Sequence, residues 1–246
     1  MNNLFEIIHE DGDLLVINKP ADLVCHPTKG DAYSSLISRI RLYLGPVEAH
    51  LINRLDRETS GIVLVAKNGP VALELRRLWE ARLVRKQYLA IVHGHVSEAR
   101  GQIDASLGRD EESQVAIKDG VRPDGLPATT EFELDCRFSR PEGDFSLLRV
   151  SPFTGRKHQI RIHLAHYGHP IVGDKLYGGD ENLYLDFVLG RLTDVQRQRL
   201  ILANQALHAS ELHFTWRGQE TAFRALPEAW FSQFIVPPSI LCNGAS

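Results

Sequence analysis

The sequence predicts an α+β fold: a long, mostly antiparallel sheet flanked by helices and loops. Three observations lead there. Strand-like segments outnumber helical ones, and neighbouring strands such as TTEFELDCRF and DFSLLRVSPF alternate as a pair. Their order also never settles into the strand–helix–strand rhythm of a parallel sheet. With 246 residues, 43% hydrophobic and 24% charged, the chain can bury a substantial core.

Taken in order, FEIIHEDGDLLVINKP reads as a hairpin around Asp11-Gly12-Asp13, and Pro20 and Pro27 open a loop behind it. SSLISRIRLYL spaces Leu36, Ile37, Ile40 and Leu44 as one helical face, with Ser34 or Ser35 as cap and Gly45-Pro46 as stop. The run Ile62-Val63-Leu64-Val65-Ala66 suits a strand buried on both faces. VALELRRLWEARLVR is an amphipathic helix with Leu73, Leu75, Leu78 and Leu83 inward and its arginines outward. KQYLAIVHGHV is a strand ending in glycine. Residues 101–130 predict short strands around a mobile loop near 110–126. GRKHQIRIHLAHYG predicts a helix closed by Gly168, and QALHASELHFTW a further strand. No repeat or linker is visible, so one domain over 1–235 with a tail at 236–246 is expected.

Composition excludes several classes. The start carries acids where a signal peptide would carry positive charge, and no apolar run reaches membrane-spanning length. Cys25, Cys136 and Cys242 are too few and too far apart for a disulfide framework, so a cytoplasmic protein is expected. The net charge of −3 argues against coating nucleic acid by bulk attraction, yet the bases are bunched. Arg76, Arg77, Arg82, Arg85 and Lys86 crowd one stretch, and Arg156, Lys157 and Arg161 another, while acids gather at Asp110-Glu111-Glu112 and Asp180-Glu181. A basic face on a mildly acidic body fits an anionic partner.

Among chemical candidates, Asp56 stands between Arg54 and Arg57 just before the apolar strand. Residue types alone leave two readings open, a salt-bridged turn and a catalytic carboxylate. Burial raises an aspartate pKa and a close arginine lowers it by about 1–3 units, so a reactive carboxylate there needs an arginine partner. His158, His163, His166 and His169 invite a metal reading, but no cysteine is near and no acid lies within the helix to complete a ligand set. Tyr88 by itself reads as a core tyrosine. No Walker or dinucleotide fingerprint occurs, which excludes ATP and NAD dependence. No cofactor or metal is expected.

Four blocks, taken together, resemble the RNA pseudouridine synthases of the RluA type: LLVINKPADLVCHP, INRLDRETSGIVLVAKN, VRKQYLAIVHG and SPFTGRKHQIRIHLAHYGHPIVGDKLYGG, with LHASELHF behind them. The likeness runs from about residue 6 to 230. It implies that family's fold and an isomerase that turns specific uridines of structured rRNA or tRNA into pseudouridine after flipping the base out. By residue-wise match, Asp56 is the catalytic aspartate, Arg161 the basic residue that pairs with it, and Tyr88 the tyrosine that lies against the target base. Arg54 matches the arginine beside the catalytic residue. Arg57, Arg76, Arg77, Arg82, Arg85, Lys86, Arg156, Lys157 and His158 are the expected RNA contacts.

Asn53 stands where the family has His, and Asp22 where it has a small glycine; changed hydrogen bonding and a mild loop change are expected. Many relatives begin with an S4-type RNA-binding domain, whereas here the catalytic domain is expected to choose its own target. A monomer is the expected state. The rival readings are a non-catalytic RNA-binding protein of the same fold and, more distantly, a His-metal hydrolase.

Overall fold

A computed structural model describes residues 5–27 and 34–235; the tail at 236–246 and Cys242 lie outside the described residues. The chain is α+β, and its described residues form two compact units, one of residues 5–27, 34–87 and 208–228, the other of 88–207 and 229–235.

In the first unit, β1 (Glu6–Glu10) and β2 (Leu14–Lys19) form the expected hairpin. Asp11 closes its turn by accepting the N–H groups of Asp13 and Leu14 at 2.8 and 2.7 Å. Helix α1 (Leu36–Leu44) is capped by Ser35 and ends at Gly45, whose φ of 63° only glycine adopts readily. After the short β3 (His50–Leu51) comes β4 (Ser60–Ala66), buried along its whole length. β2 and β3 pair antiparallel with β4. β11 (Leu207–Trp216) runs parallel to β4 at His208 and Ala209, and β12 (Gln219–Arg224) pairs antiparallel with β11.

Gly61 explains itself at that parallel contact. Its φ is 113°, and a Cβ there would collide with the backbone of Ala209. Leu14, Val16, Ile62, Leu64, Leu75, Leu212 and Phe214 make the core of this unit.

Helix α2 (Gly69–Glu80) is shorter than its periodicity suggests. Asn68 caps it by accepting the Val71 N–H at 2.9 Å, and it stops at Glu80. Leu75 is buried as expected, but Leu73 and Leu83 are exposed at 51% and 62%. Arg82, whose φ of 58° lies in the left-handed region, ends the helical path, so Leu83 falls outside the helix and Arg85 opens a strand.

The second unit takes residues 88–93 of β5 (Arg85–His93), then β10 (Gly143–Pro152), β9 (Thr129–Arg140) and β6 (Arg100–Asp104), neighbours in that order and all antiparallel. Its core holds Ile91, Phe132, Phe145, Leu148, Ile160, Leu164 and Phe231, the last from α6 (Ala229–Ile235). Helix α3 (Gln159–His166) is followed by Gly168 at φ 89°, as expected, and the stretch behind it holds α4 (Asn182–Val188) and α5 (Asp194–Leu200).

The segment expected to be a mobile loop is instead tied down. β7 (Leu107–Arg109) and β8 (Asp119–Val121) form a small hairpin, and Lys118 bridges Asp110 and Glu181 at 3.3 and 2.8 Å. One acid from each of the two acidic clusters, Asp110 and Glu181, is thus a partner for Lys118.

Candidate active site

In the first unit, Asp56 sits half-buried in the turn that leads into β4. The backbone on either side of it is held by side chains. Asn53 spans β4 with both ends of its amide: Nδ2 donates to the Ile62 carbonyl at 3.0 Å, and Oδ1 accepts the Leu64 N–H at 2.8 Å. The residue that replaces the family's histidine thus acts as an extra peptide group in the sheet. The Cys25 thiol donates to the Leu55 carbonyl at 3.4 Å and takes the Leu55 N–H at 3.5 Å. On the far side, the Lys19 ammonium donates to the Arg57 carbonyl at 3.1 Å and to the carbonyls of Pro20 and Leu23 at 2.8 Å each. Within the turn, the Asp56 carbonyl accepts the Thr59 N–H at 3.2 Å.

Lys19 is fully buried. Burial pushes its pKa down to about 8, against the pull of nearby acidic groups that include Asp56 and Glu228. A lysine at the end of an apolar strand, directly before proline, is the signal that could have singled it out.

The exit of the turn is locked as well. Ser60 and His208 share a 2.9 Å hydrogen bond, and His208 Nε2 reaches the Ala225 carbonyl at 3.1 Å. Burial holds His208 toward its neutral form, so with Nε2 donating, Nδ1 accepts from the Ser60 hydroxyl. Both residues are buried, which makes the pair a strut between β4 and β11 rather than a nucleophile.

Asp22 occupies the left-handed region at φ 67°, which accounts for the glycine usual at that position. Its carboxylate takes a hydrogen bond from Arg57 Nε at 2.7 Å, so one expected RNA contact is engaged by an acid of its own unit. Arg54, Arg76, Arg77, Arg82 and Arg85 are exposed. Lys86 is partly buried and its pKa is lowered, by burial first and the Arg82 charge second.

In the second unit, Tyr88 lies on β5 opposite Val150 and packs against the core. Arg161, on α3, is 7% exposed and grips fully buried Asp174 twice, Nε to Oδ2 at 2.7 Å and Nη2 to Oδ1 at 2.9 Å. Burial would raise the Asp174 pKa, but the Arg161 charge and the N–H groups of Tyr177 and Leu176 outweigh it and hold the carboxyl below its ordinary value. The Arg161 guanidinium also lies over the Tyr177 ring, 5.0 Å from its centre. Sequence reasoning did not single out Asp174 as the partner of Arg161, although GHPIVGD contains it; an acid after three apolar or small residues was the available signal.

The Tyr177 hydroxyl and His158 Nδ1 share a 2.9 Å hydrogen bond, and Lys157 pairs with Asp119 of the small hairpin at 2.9 Å. Arg156 Nε donates to the Pro127 carbonyl at 3.3 Å. His163 is spent inside the core, between the Thr130 hydroxyl and the Ala105 carbonyl, and His169 reaches the His93 carbonyl. Among the described residues no group of three or more His, Cys, Asp or Glu side chains is placed to hold a metal ion. No helix among them is long and apolar enough to cross a membrane.

The RNA pseudouridylate synthase family profile matches residues 13–166, and the chain belongs to that family. Curated relatives include ribosomal large subunit pseudouridine synthase D of Haemophilus ducreyi, 37% identical over 70% of this chain and 52% of that one. The Vibrio cholerae protein of the same name is 35% identical over 89% of this chain and 66% of its own length. The protein named uncharacterized RNA pseudouridine synthase YlyB of Bacillus subtilis is 34% identical over 91% and 69%. The chain thus spans about half to two thirds of the length of the first of these relatives. Among solved structures, human RNA pseudouridylate synthase domain containing 1 superposes with a TM-score of 0.71 at 27% identity, covering 91% of this chain and 83% of that one.

Proposed function

We propose that this chain isomerises uridine to pseudouridine in large-subunit ribosomal RNA, with Asp56 as the reacting carboxylate. The observation that supports it most is the clamping of the Asp56 turn: Cys25 on Leu55 and Lys19 on Arg57 fix the backbone on both sides of one half-buried acid. A mere salt-bridged surface turn has no use for a buried ammonium and a thiol behind it. The relatives' names supply the RNA class.

The reaction breaks the bond from ribose C1′ to uracil N1 and joins C1′ to C5; the C5 proton is lost and N1 gains one, so no water is consumed. Glycoside hydrolysis needs two carboxylates, one to activate water or attack and one to protonate the leaving group. Here the base leaves as a tolerable anion and stays in place, so one carboxylate suffices. Asp56 either attacks C1′ or removes the C2′ proton. In this reading Tyr88 rests on the loosened base and Arg161 is the basic partner of Asp56, both by their match to the family's blocks. The uridine must leave its stack, at about a few kcal/mol, which phosphate contacts from the exposed arginines offset. The chain would work as one catalytic domain over 1–235, as a monomer, in the cytoplasm.

The test is tritium release from C5-labelled uridine in transcribed large-subunit ribosomal RNA. Asp56→Asn should retain the fold and RNA binding and lose at least about a thousandfold in turnover, as expected when a covalent or proton-transfer group is removed. Turnover surviving in that variant rules out the assignment, and no release by the wild type would favour a non-catalytic RNA-binding protein.

A further inference from the structure

Helix α2 ends in a Schellman motif. The Leu83 N–H donates back to the Leu78 carbonyl at 2.9 Å and the Arg82 N–H to the Trp79 carbonyl at 3.1 Å. The motif needs a left-handed residue at Arg82, where glycine is the residue of choice because a side chain meets its own backbone. This chain places an arginine there, at φ 58°.

Arg82 is also awkward electrostatically. It sits beside Lys86, whose ammonium is disfavoured by burial and then by the Arg82 charge. Arg82 and Arg85 are both exposed, as are Arg76 and Arg77 on the helix. The negative end of the α2 dipole attracts a cation. Arg77, already in the last turn with ordinary helical geometry, meets that need. Neither the fold nor the helix end accounts for a strained arginine at this position; a polyanion does.

We propose that Arg82 is a phosphate anchor for RNA, held at a conformational cost to the fold in the turn between α2 and β5. The inference rests on the RNA-modifying reading above and adds one specific contact to it. Its signature is two effects of opposite sign in one substitution. Arg82→Gly should raise the thermal midpoint by about 2–4 °C, the shift expected from relieving a left-handed side chain in a chain of this size. The same variant should bind transcribed large-subunit ribosomal RNA several-fold more weakly at low salt. Its slope of log affinity against log salt should fall by about one, the loss of one phosphate contact. Arg82→Asn tolerates the left-handed region without the charge, so it should weaken binding to the same degree and raise the midpoint by less than Arg82→Gly does.

KM for the RNA should rise in both variants, with kcat changed less than twofold. RNA affinity and salt slope equal to wild type in both variants would overturn the anchor, and a lowered midpoint for Arg82→Gly would overturn the strain that motivates it. Wild-type protein that fails to bind the RNA would remove the underlying reading and this one together.

Discussion

Arg161 and Asp174 form a buried, two-pronged ion pair, 2.7 and 2.9 Å, inside the second unit. Removing one partner strands the other charge away from water, which costs about 3–5 kcal/mol, whereas replacing both with apolar groups is often tolerated. Arg161→Met should therefore lower stability by that amount, seen in urea unfolding, and lose activity. The double variant Arg161→Met/Asp174→Leu should regain most of the stability and none of the activity. Activity that returns with stability would reduce Arg161 to a structural residue.

Lys19 sets a pH dependence whose sign can be worked out. Its pKa is about 8 in the folded chain against 10.5 for the unperturbed group, because burial disfavours the ammonium. Between those values the unfolded chain holds a proton that the folded chain has released, so this group's contribution to stability rises with pH from about 8 to 10.5. Below pH 8 the buried charge is a standing cost. The stability difference between wild type and Lys19→Met, followed by urea unfolding from pH 7 to 10.5, should shift in favour of the wild type by on the order of a few kcal/mol. A flat difference would mean that Lys19 titrates as if exposed.

Asp22 restrains Arg57 while adopting a left-handed φ of 67°. Asp22→Gly removes the conformational cost, about 1 kcal/mol, and a half-exposed ion pair that contributes about as little as such pairs do. Stability should stay within about 1 kcal/mol of wild type. RNA affinity should rise about two- to threefold at low salt, because an acid competing with phosphate for Arg57 is gone. Filter binding of ribosomal RNA across a salt series reads both the affinity and its slope; weaker binding would show that the Asp22–Arg57 pair shapes the RNA surface.

Legibility differed sharply along the chain. The hairpin around Asp11, the buried strand Ser60–Ala66, the pair Thr129–Arg140 with Gly143–Pro152, and Gly168 closing α3 were all readable, because period, turn chemistry and capping are local. Helix α2 was overdrawn because a periodic stripe of leucines does not reveal that Arg82 will turn left-handed. The loop near 110–126 read as mobile because its anchor, Glu181, lies 63 residues beyond Lys118.

From the sequence alone came the family, the α+β class and the identity of Asp56 as the residue to test, since these rest on residue types at short fixed spacings. Only tertiary structure decided which side chains hold that residue in place. Lys19 and Cys25 meet the Asp56 turn, Asn53 meets β4 behind it, and Asp174 meets Arg161, through contacts that span from about ten to nearly forty positions of chain. The physical reason is that a buried ammonium or carboxylate is tolerable only where donors and acceptors from distant segments converge on it, and convergence is a property of the fold rather than of any stretch of residues.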